Sequence, residues 1–504
     1  MEDAVVQPVQ TDANGHFNIT AYEGDYTLKV IAPHYYSQEA TINLKGNIEK
    51  NFDIKPFIGY PGEIGYDDGT AENARAFYDA GNGWAVKMSL AKGNKKALVR
   101  SGLFRFWNTE WPVPGGTAFK VAVYDASGPN GAPGKKLAGP FDATALRNGQ
   151  WTQVDLSSQG IIVEGDFYMV YIQTAASPNV PGLATDENGP NAGRSWQLVS
   201  GAWTQSPKAE GNYMIRAVVD YEVTAPTLTS PVDGTFTNVE TVTVKGESSP
   251  TTKVHIFNNG NEIASGDTKD DGTYAVDVKL NKGENQLTAK ASTEQGMTDA
   301  SAPVKITFDN VAPEITIDSP TDGSKQNTET VMVKGKVKDD YLDSVTVNGT
   351  IAKVENGTYS ARIMLDQGIN QINVVAKDKA GNTTTKSLKV DVKYTAPEIT
   401  NLKPNVDKEL KKGESVKIEF TSEPGLKTTF LIYMPLTQTK VLQASNVTEL
   451  PMMEVSPGYY VGYYTATKDM VAAGAVIEVK AVDSYGNEAR KTADGKLYIN
   501  VKKK

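Results

Sequence analysis

Cysteine is absent from this 504-residue chain, and histidine occurs only at His16, His34 and His255. The first absence excludes disulfide frameworks, thiolate nucleophiles, Cys-ligated zinc and iron–sulfur clusters. The second confines most hydrolytic chemistry near neutral pH to three imidazoles, because histidine is the commonest general base there. No apolar run approaches the ~20 residues of a spanning helix, so no membrane partner is expected. Lys and Arg total 51 against 60 Asp and Glu, a net charge of −9, which leaves no broad basic field for nucleic acid. No amphipathic helix longer than about three turns is legible from hydrophobic period.

What is present reads as β. Phe119-Lys120-Val121-Ala122-Val123-Tyr124 and Thr241-Val242-Thr243-Val244 alternate with period two, and turn clusters such as Asn259-Gly260, Asp271-Gly272 and Asn356-Gly357 separate such runs. Asn and Gly tolerate the positive φ of tight hairpins. The 23 Tyr, 14 Phe and 6 Trp supply ample core material. The leading Met1-Glu2-Asp3-Ala4 has neither the basic nor the apolar stretch of a signal peptide, and Val501-Lys502-Lys503-Lys504 carries no lipidation motif.

The second half repeats itself. Ala225-Pro226 recurs as Ala312-Pro313 and Ala396-Pro397, at intervals of roughly 85 residues, the scale of an immunoglobulin-like sandwich. Thr241-Val242-Thr243-Val244-Lys245-Gly246 matches Thr330-Val331-Met332-Val333-Lys334-Gly335, and Asp271-Gly272-Thr273-Tyr274 matches Asn356-Gly357-Thr358-Tyr359. A more divergent third unit keeps Asp483-Ser484-Tyr485-Gly486-Asn487, which answers Asp378-Lys379-Ala380-Gly381-Asn382. All six Trp lie between Trp84 and Trp203, before the repeats. The chain is therefore expected to be all-β and multi-domain: a partial transthyretin-like module at 1–56, a Trp-rich jelly-roll β-sandwich at 57–222, and three tandem immunoglobulin-like β-sandwiches at 223–309, 310–393 and 394–504.

Tyr66-Asp67-Asp68-Gly69-Thr70-Ala71-Glu72-Asn73-Ala74, Asn82-Gly83-Trp84-Ala85-Val86-Lys87 and Trp151-Thr152-Gln153-Val154-Asp155-Leu156 carry a resemblance. They resemble the region downstream of the catalytic domain in the bacillopeptidase F family of secreted subtilisin-like serine proteases. Asp12-Ala13-Asn14-Gly15-His16-Phe17 with Gly24-Asp25-Tyr26-Thr27-Leu28 is similar to carboxypeptidase-regulatory, transthyretin-like modules, in which about two further strands precede position 1. The subtilisin motifs themselves, Asp-(Thr/Ser)-Gly, His-Gly-Thr and Gly-Thr-Ser, do not occur. The resemblance thus implies a non-catalytic, extracellular or wall-associated accessory region. A protease domain would stand upstream in cis, and cell-wall polysaccharide or protein substrate would be the partner. A free-standing surface or adhesion protein is the alternative, a cryptic acid-pair glycosidase a third, and a monomer is expected.

Candidate sites are few, and no cofactor is required. Asp67, Asp68 and Glu72, close together after a turn, are candidate calcium ligands, the competing reading being an exposed loop capped by its own backbone. Asp339, Asp340 and Asp343, with Asp309-Asn310 before Pro313, form a second acidic set, more simply read as solvated loop. Trp107 and Trp111 offer apolar faces for a sugar or peptide, against the simpler reading of core and rim packing. Trp196 and Trp203 flank Ser200-Gly201 and read as a hairpin with inward rings. The three histidines read as plain surface residues, and the Asp378 and Asp483 turns as hairpin chemistry.

Overall fold

The computed structural model describes residues 7–435 and 449–503. Among them there is no α-helix, and no helix is long and apolar enough to cross a membrane. The chain divides into two compact units, Met1–Thr235 with Glu240–Thr307, and Phe236–Val239 with Phe308–Lys504.

In the first unit, Gly24–Val30 and Gln38–Leu44 pair as an antiparallel hairpin in which no residue is fully buried. The Trp-rich region that follows is a two-sheet antiparallel sandwich of the jelly-roll class. One sheet runs Ile162–Glu164, Lys96–Arg105, Ile215–Glu222, Gly59–Ile64. The other runs Ala202–Gln205, Ser195–Val199, Gly83–Met88, Phe167–Gln173, Ala118–Asp125, Lys136–Thr144. Alternation along Gly83–Met88 sends Trp84, Val86 and Met88 into the core between the sheets. Trp84 stacks there on Phe77 at 4.0 Å and on Tyr213 at 5.1 Å.

The Trp196–Trp203 hairpin forms as read, with Ser200 and Gly201 at φ 52° and 82°. Its rings, however, do not enter that core. Register pairs Trp196 with Ala85, so the side chain shares the face opposite Trp84. Trp196 and Trp203 instead cover a second cluster of Ala85, Ala122, Tyr168 and Val170.

Each repeat is a two-sheet sandwich. In the first, Thr227–Ser230, Thr241–Glu247 and Thr273–Lys279 face a sheet containing Val304–Phe308, Gly283–Thr293, Lys253–Asn258 and Asn261–Asp267. In the second, Glu314–Ile315, Thr330–Lys338, Thr358–Met364 and Lys353–Glu355 face a sheet whose first strand, Ser324–Gln326, runs parallel to Thr383–Val392. The third repeats this parallel pairing with Lys408–Leu410 and Leu497–Ile499. Pro320 and Pro404, which lack an N–H, stand where the chain leaves one sheet for the other.

Candidate metal centre

The second unit contains two connectors of the same build. In each, a hairpin turn of the form Asp-x-x-Gly-Asn closes on the chain segment leading into a repeat. Asp378 Oδ1 accepts the Asn382 N–H at 2.8 Å and Oδ2 accepts the Asn382 side-chain amide at 2.7 Å. Gly381 supplies the positive φ, 95°. The same amide donates to the Asp309 carbonyl at 2.8 Å. Asp483 and Asn487 reproduce this, with the Asn487 amide donating to the Lys393 carbonyl at 2.6 Å. The turns are therefore hairpin chemistry, as read, and also clamps on the connector.

At the first connector three carboxylates converge. Oxygens of Asp309, Asp339 and Asp378 lie within 4.8 Å of one another, with Asp309 and Asp378 only 6% and 0% exposed. Asp309 Oδ1 accepts the Val311 N–H at 3.0 Å, and Asp339 Oδ1 accepts the Tyr341 N–H at 2.7 Å. Burial, then the negative charges of Asp378, Asp309 and Asp340, push the Asp339 carboxyl above its ordinary range, against the Tyr341 bond. Asp340, Asp343 and Asn310 are exposed and outside this group, and Asp378, which reads in sequence as a turn residue, completes it.

Asp67, Asp68 and Glu72 are spent differently. Asp67, its side chain inaccessible, takes the Arg216 guanidinium at 3.0 and 2.5 Å, and that guanidinium lies 4.5 Å over the Trp151 ring. Asp68 Oδ1 caps Thr70, through its N–H at 2.7 Å and its hydroxyl at 2.6 Å. Glu72 accepts the Glu187 N–H at 3.0 Å and the Asn188 amide at 2.7 Å, stapling two loops. Trp107 is half-buried, with its backbone N–H donating to the Gly182 carbonyl at 2.9 Å. Trp111 lays one edge on Gly182 and remains 40% exposed. Arg147 pins their loop through the carbonyls of Asn108 at 3.2 Å and Pro112 at 2.7 Å.

His255 is not a plain surface residue. Its Nδ1 meets Glu262 at 2.7 Å and its Nε2 meets Ser292 Oγ at 2.8 Å, beside an open groove of about 460 Å³ lined by Thr252, Lys253 and Ser292. This is the order of a serine–imidazole–carboxylate relay. The serine sits on a strand paired on both sides, with Lys253 and with Met297, two residues before the turn at Glu294 and Gln295. No sequence motif marks the trio, since it is assembled across three strands.

Fold and sites define a chain of immunoglobulin-like β-sandwich modules behind a larger antiparallel sandwich. Residues 225–309 and 313–394 match the family model described as glucodextranase, domain B. Over 501 residues the chain is 56% identical to bacillopeptidase F of Bacillus subtilis (strain 168), covering 99% of this chain and 35% of that protein. It is thus similar to a part of bacillopeptidase F and spans about a third of that relative's length. Among solved structures, an I-band fragment of titin covers 55% of this chain and 99% of its own at 15% identity and TM-score 0.33. The fibronectin(III)-like modules of Clostridium thermocellum CbhA cover 33% and 94% at 21% identity and TM-score 0.25.

Proposed function

We propose that this chain is the non-catalytic C-terminal accessory region of a secreted subtilisin-like serine endopeptidase, spacing the protease domain and directing it to cell-wall polysaccharide or protein substrate. One observation carries the reading: near-complete coverage of this chain at 56% identity uses only 35% of bacillopeptidase F. The lack of all three subtilisin motifs in the sequence, and its reduction to β-sandwich modules, support it. The half-exposed Trp111 beside its pinned loop is the face offered to a sugar ring or peptide.

The test compares the whole protease gene with one lacking the codons for 57–504. Cleavage of a soluble peptide is expected to persist, while cleavage of wall-bound protein and sedimentation with cell walls fall at least tenfold. Equal performance of both forms on both substrates rejects the targeting role. The purified chain is expected to hydrolyse neither casein nor an aryl acetate, and Asn in place of His255 to change nothing. Turnover abolished by His255→Asn overturns the non-catalytic reading.

A further inference from the structure

The two connectors of the second unit differ in one telling respect. At the second, Lys393 sends its ammonium between two carboxylates, Asp483 at 3.0 Å and Glu423 in a shorter contact. Lys393 occupies the place of Asp309: each stands four residues before the repeat's proline, and each carbonyl receives the turn asparagine. Their N–H groups also donate alike, Asp309 to Thr237 and Lys393 to Gln326. Asp483 occupies the place of Asp378 in the Asp-x-x-Gly-Asn turn. Glu423 and Asp339 both come from the loop that follows the corresponding strand, Ser415–Thr421 in one and Thr330–Lys338 in the other. One connector therefore holds a cation between two carboxylates, and the other replaces the cation's own side chain with a third carboxylate.

The first connector has amide donors on these carboxylates but no cation of its own. Among the described residues no ion pair involves Asp309, Asp339 or Asp378, and the neighbouring Lys379 lies 5.4 Å from the Phe236 ring centroid. Two of the three acids are buried, where unpaired negative charge is costly. We propose that Asp309, Asp339 and Asp378 bind a hard divalent cation, calcium, in the place that the Lys393 ammonium fills at the next connector. Three carboxylates at strand ends and in the following loops, with Oδ2 of Asp309 and Asp339 free of amide bonds, a second lone pair on each Asp378 oxygen, and water completing the shell, suit the flexible all-oxygen coordination of calcium better than the tight octahedron of magnesium. The cation fastens the connector, residues 309–312, to the end of the second repeat. The proposal does not depend on the chain's assignment to a protease.

Full-length chain stripped with EDTA is titrated with calcium by calorimetry and by thermal unfolding. One site per chain and an upward shift of one transition are expected. Asp339→Asn is expected to weaken binding at least tenfold. Asp309→Lys copies the second connector: it is expected to abolish the calcium response, with a transition in EDTA as high as that of calcium-loaded wild type. A wild-type chain that neither takes up calcium nor shifts overturns the proposal. So does a calcium response retained by both variants, or one reproduced by sodium chloride at equal ionic strength.

Discussion

Single residues in this chain take opposite electrostatic roles according to what surrounds a buried carboxylate. Burial pushes Asp483 up, but the Asn487 amide, the Lys393 ammonium and the backbone N–H groups of Asn487 and Tyr485 outweigh it and hold the carboxyl at about 2. A depressed carboxyl stabilises the fold above its unfolded value and loses that contribution as pH falls through the folded one. Asp483→Asn is therefore expected to cost about 1–2 kcal/mol at pH 7, and the difference from wild type to vanish near pH 2 in urea titrations across pH. Asp220 behaves in reverse. Burial raises it, only partly offset by Arg100 and His34, whose nitrogens stand at 3.5 and 3.7 Å. A raised carboxyl takes up its proton first in the folded state, so folding gains as pH falls. Asp220→Asn is expected to stabilise by up to about 1 kcal/mol at pH 8 and by nothing at pH 4. Neither role was legible in the sequence, because Arg100, His34 and Lys393 reach these acids only through strand pairing and connector geometry.

At the scale of the element, the repeats show what sequence matching reveals and what it leaves out. The Lys-Gly and Gly-Thr-Tyr matches between the first two units are plain in the chain, yet their reason is a contact distant in sequence. Tyr274 donates its hydroxyl to the Thr227 carbonyl at 2.8 Å, and Tyr359 to the Thr316 carbonyl at 2.7 Å. Each tyrosine pairs across strands with the matched glycine, Gly246 or Gly335. A Cβ on Gly335 would stand 1.9 Å from the Thr316 carbonyl and 2.6 Å from the Tyr359 hydroxyl. The glycine lets the repeat's first strand come close enough to receive the bond. The divergent third unit solves the same problem otherwise: Phe420 sits opposite Tyr460 and stacks on it at 5.1 Å, and the hydroxyl turns to the Glu423 carbonyl at 2.9 Å. Gly335→Ala is expected to cost about 3 kcal/mol by overpacking, whereas Tyr359→Phe removes one hydrogen bond, about 1 kcal/mol. Denaturant unfolding that ranks the two in the opposite order contradicts this account. Period-two alternation likewise made the strands legible, but not which face of the six-stranded sheet Trp196 would join, since that depends on its register with Ala85. The cross-strand trio of Glu262, His255 and Ser292 depends on register in the same way and leaves no mark in the sequence.

For the molecule as a whole, stability should follow burial, and burial is very unevenly shared. The sandwich that begins at Phe57 encloses a large aromatic core, with Trp84, Phe104, Phe119 and Tyr171 all almost wholly inaccessible. Residues 7–56 bury nothing fully. Their hairpin alternates half-buried Tyr26, Leu28 and Val30 with exposed positions, and Tyr22 is 92% exposed. A two-stranded sheet without a covering layer is marginal in water. What ties this one down is gathered at one end: the Phe57 N–H on the His34 carbonyl at 2.7 Å, the Tyr36 ring 5.0 Å from Phe57, the Tyr36 hydroxyl on Glu222, and the His34 ring 3.7 Å from Asp220. These contacts fasten its far end and leave Lys29, Lys45 and Lys50 without a core behind them. Dilute trypsin is therefore expected to cut first after Lys29, Lys45 or Lys50, yielding a resistant fragment that starts at Asn51, since Lys55 is shielded by Pro56, and amide exchange in 7–50 to outpace that of 83–88 and 167–173 by several orders of magnitude. Opening there needs only the hairpin to separate, whereas exposing Gly83–Met88 requires the aromatic core to come apart. Cleavage within 57–222 preceding any cut before Phe57, or matching protection of both segments, would mean that the leading hairpin draws its stability from contacts other than these.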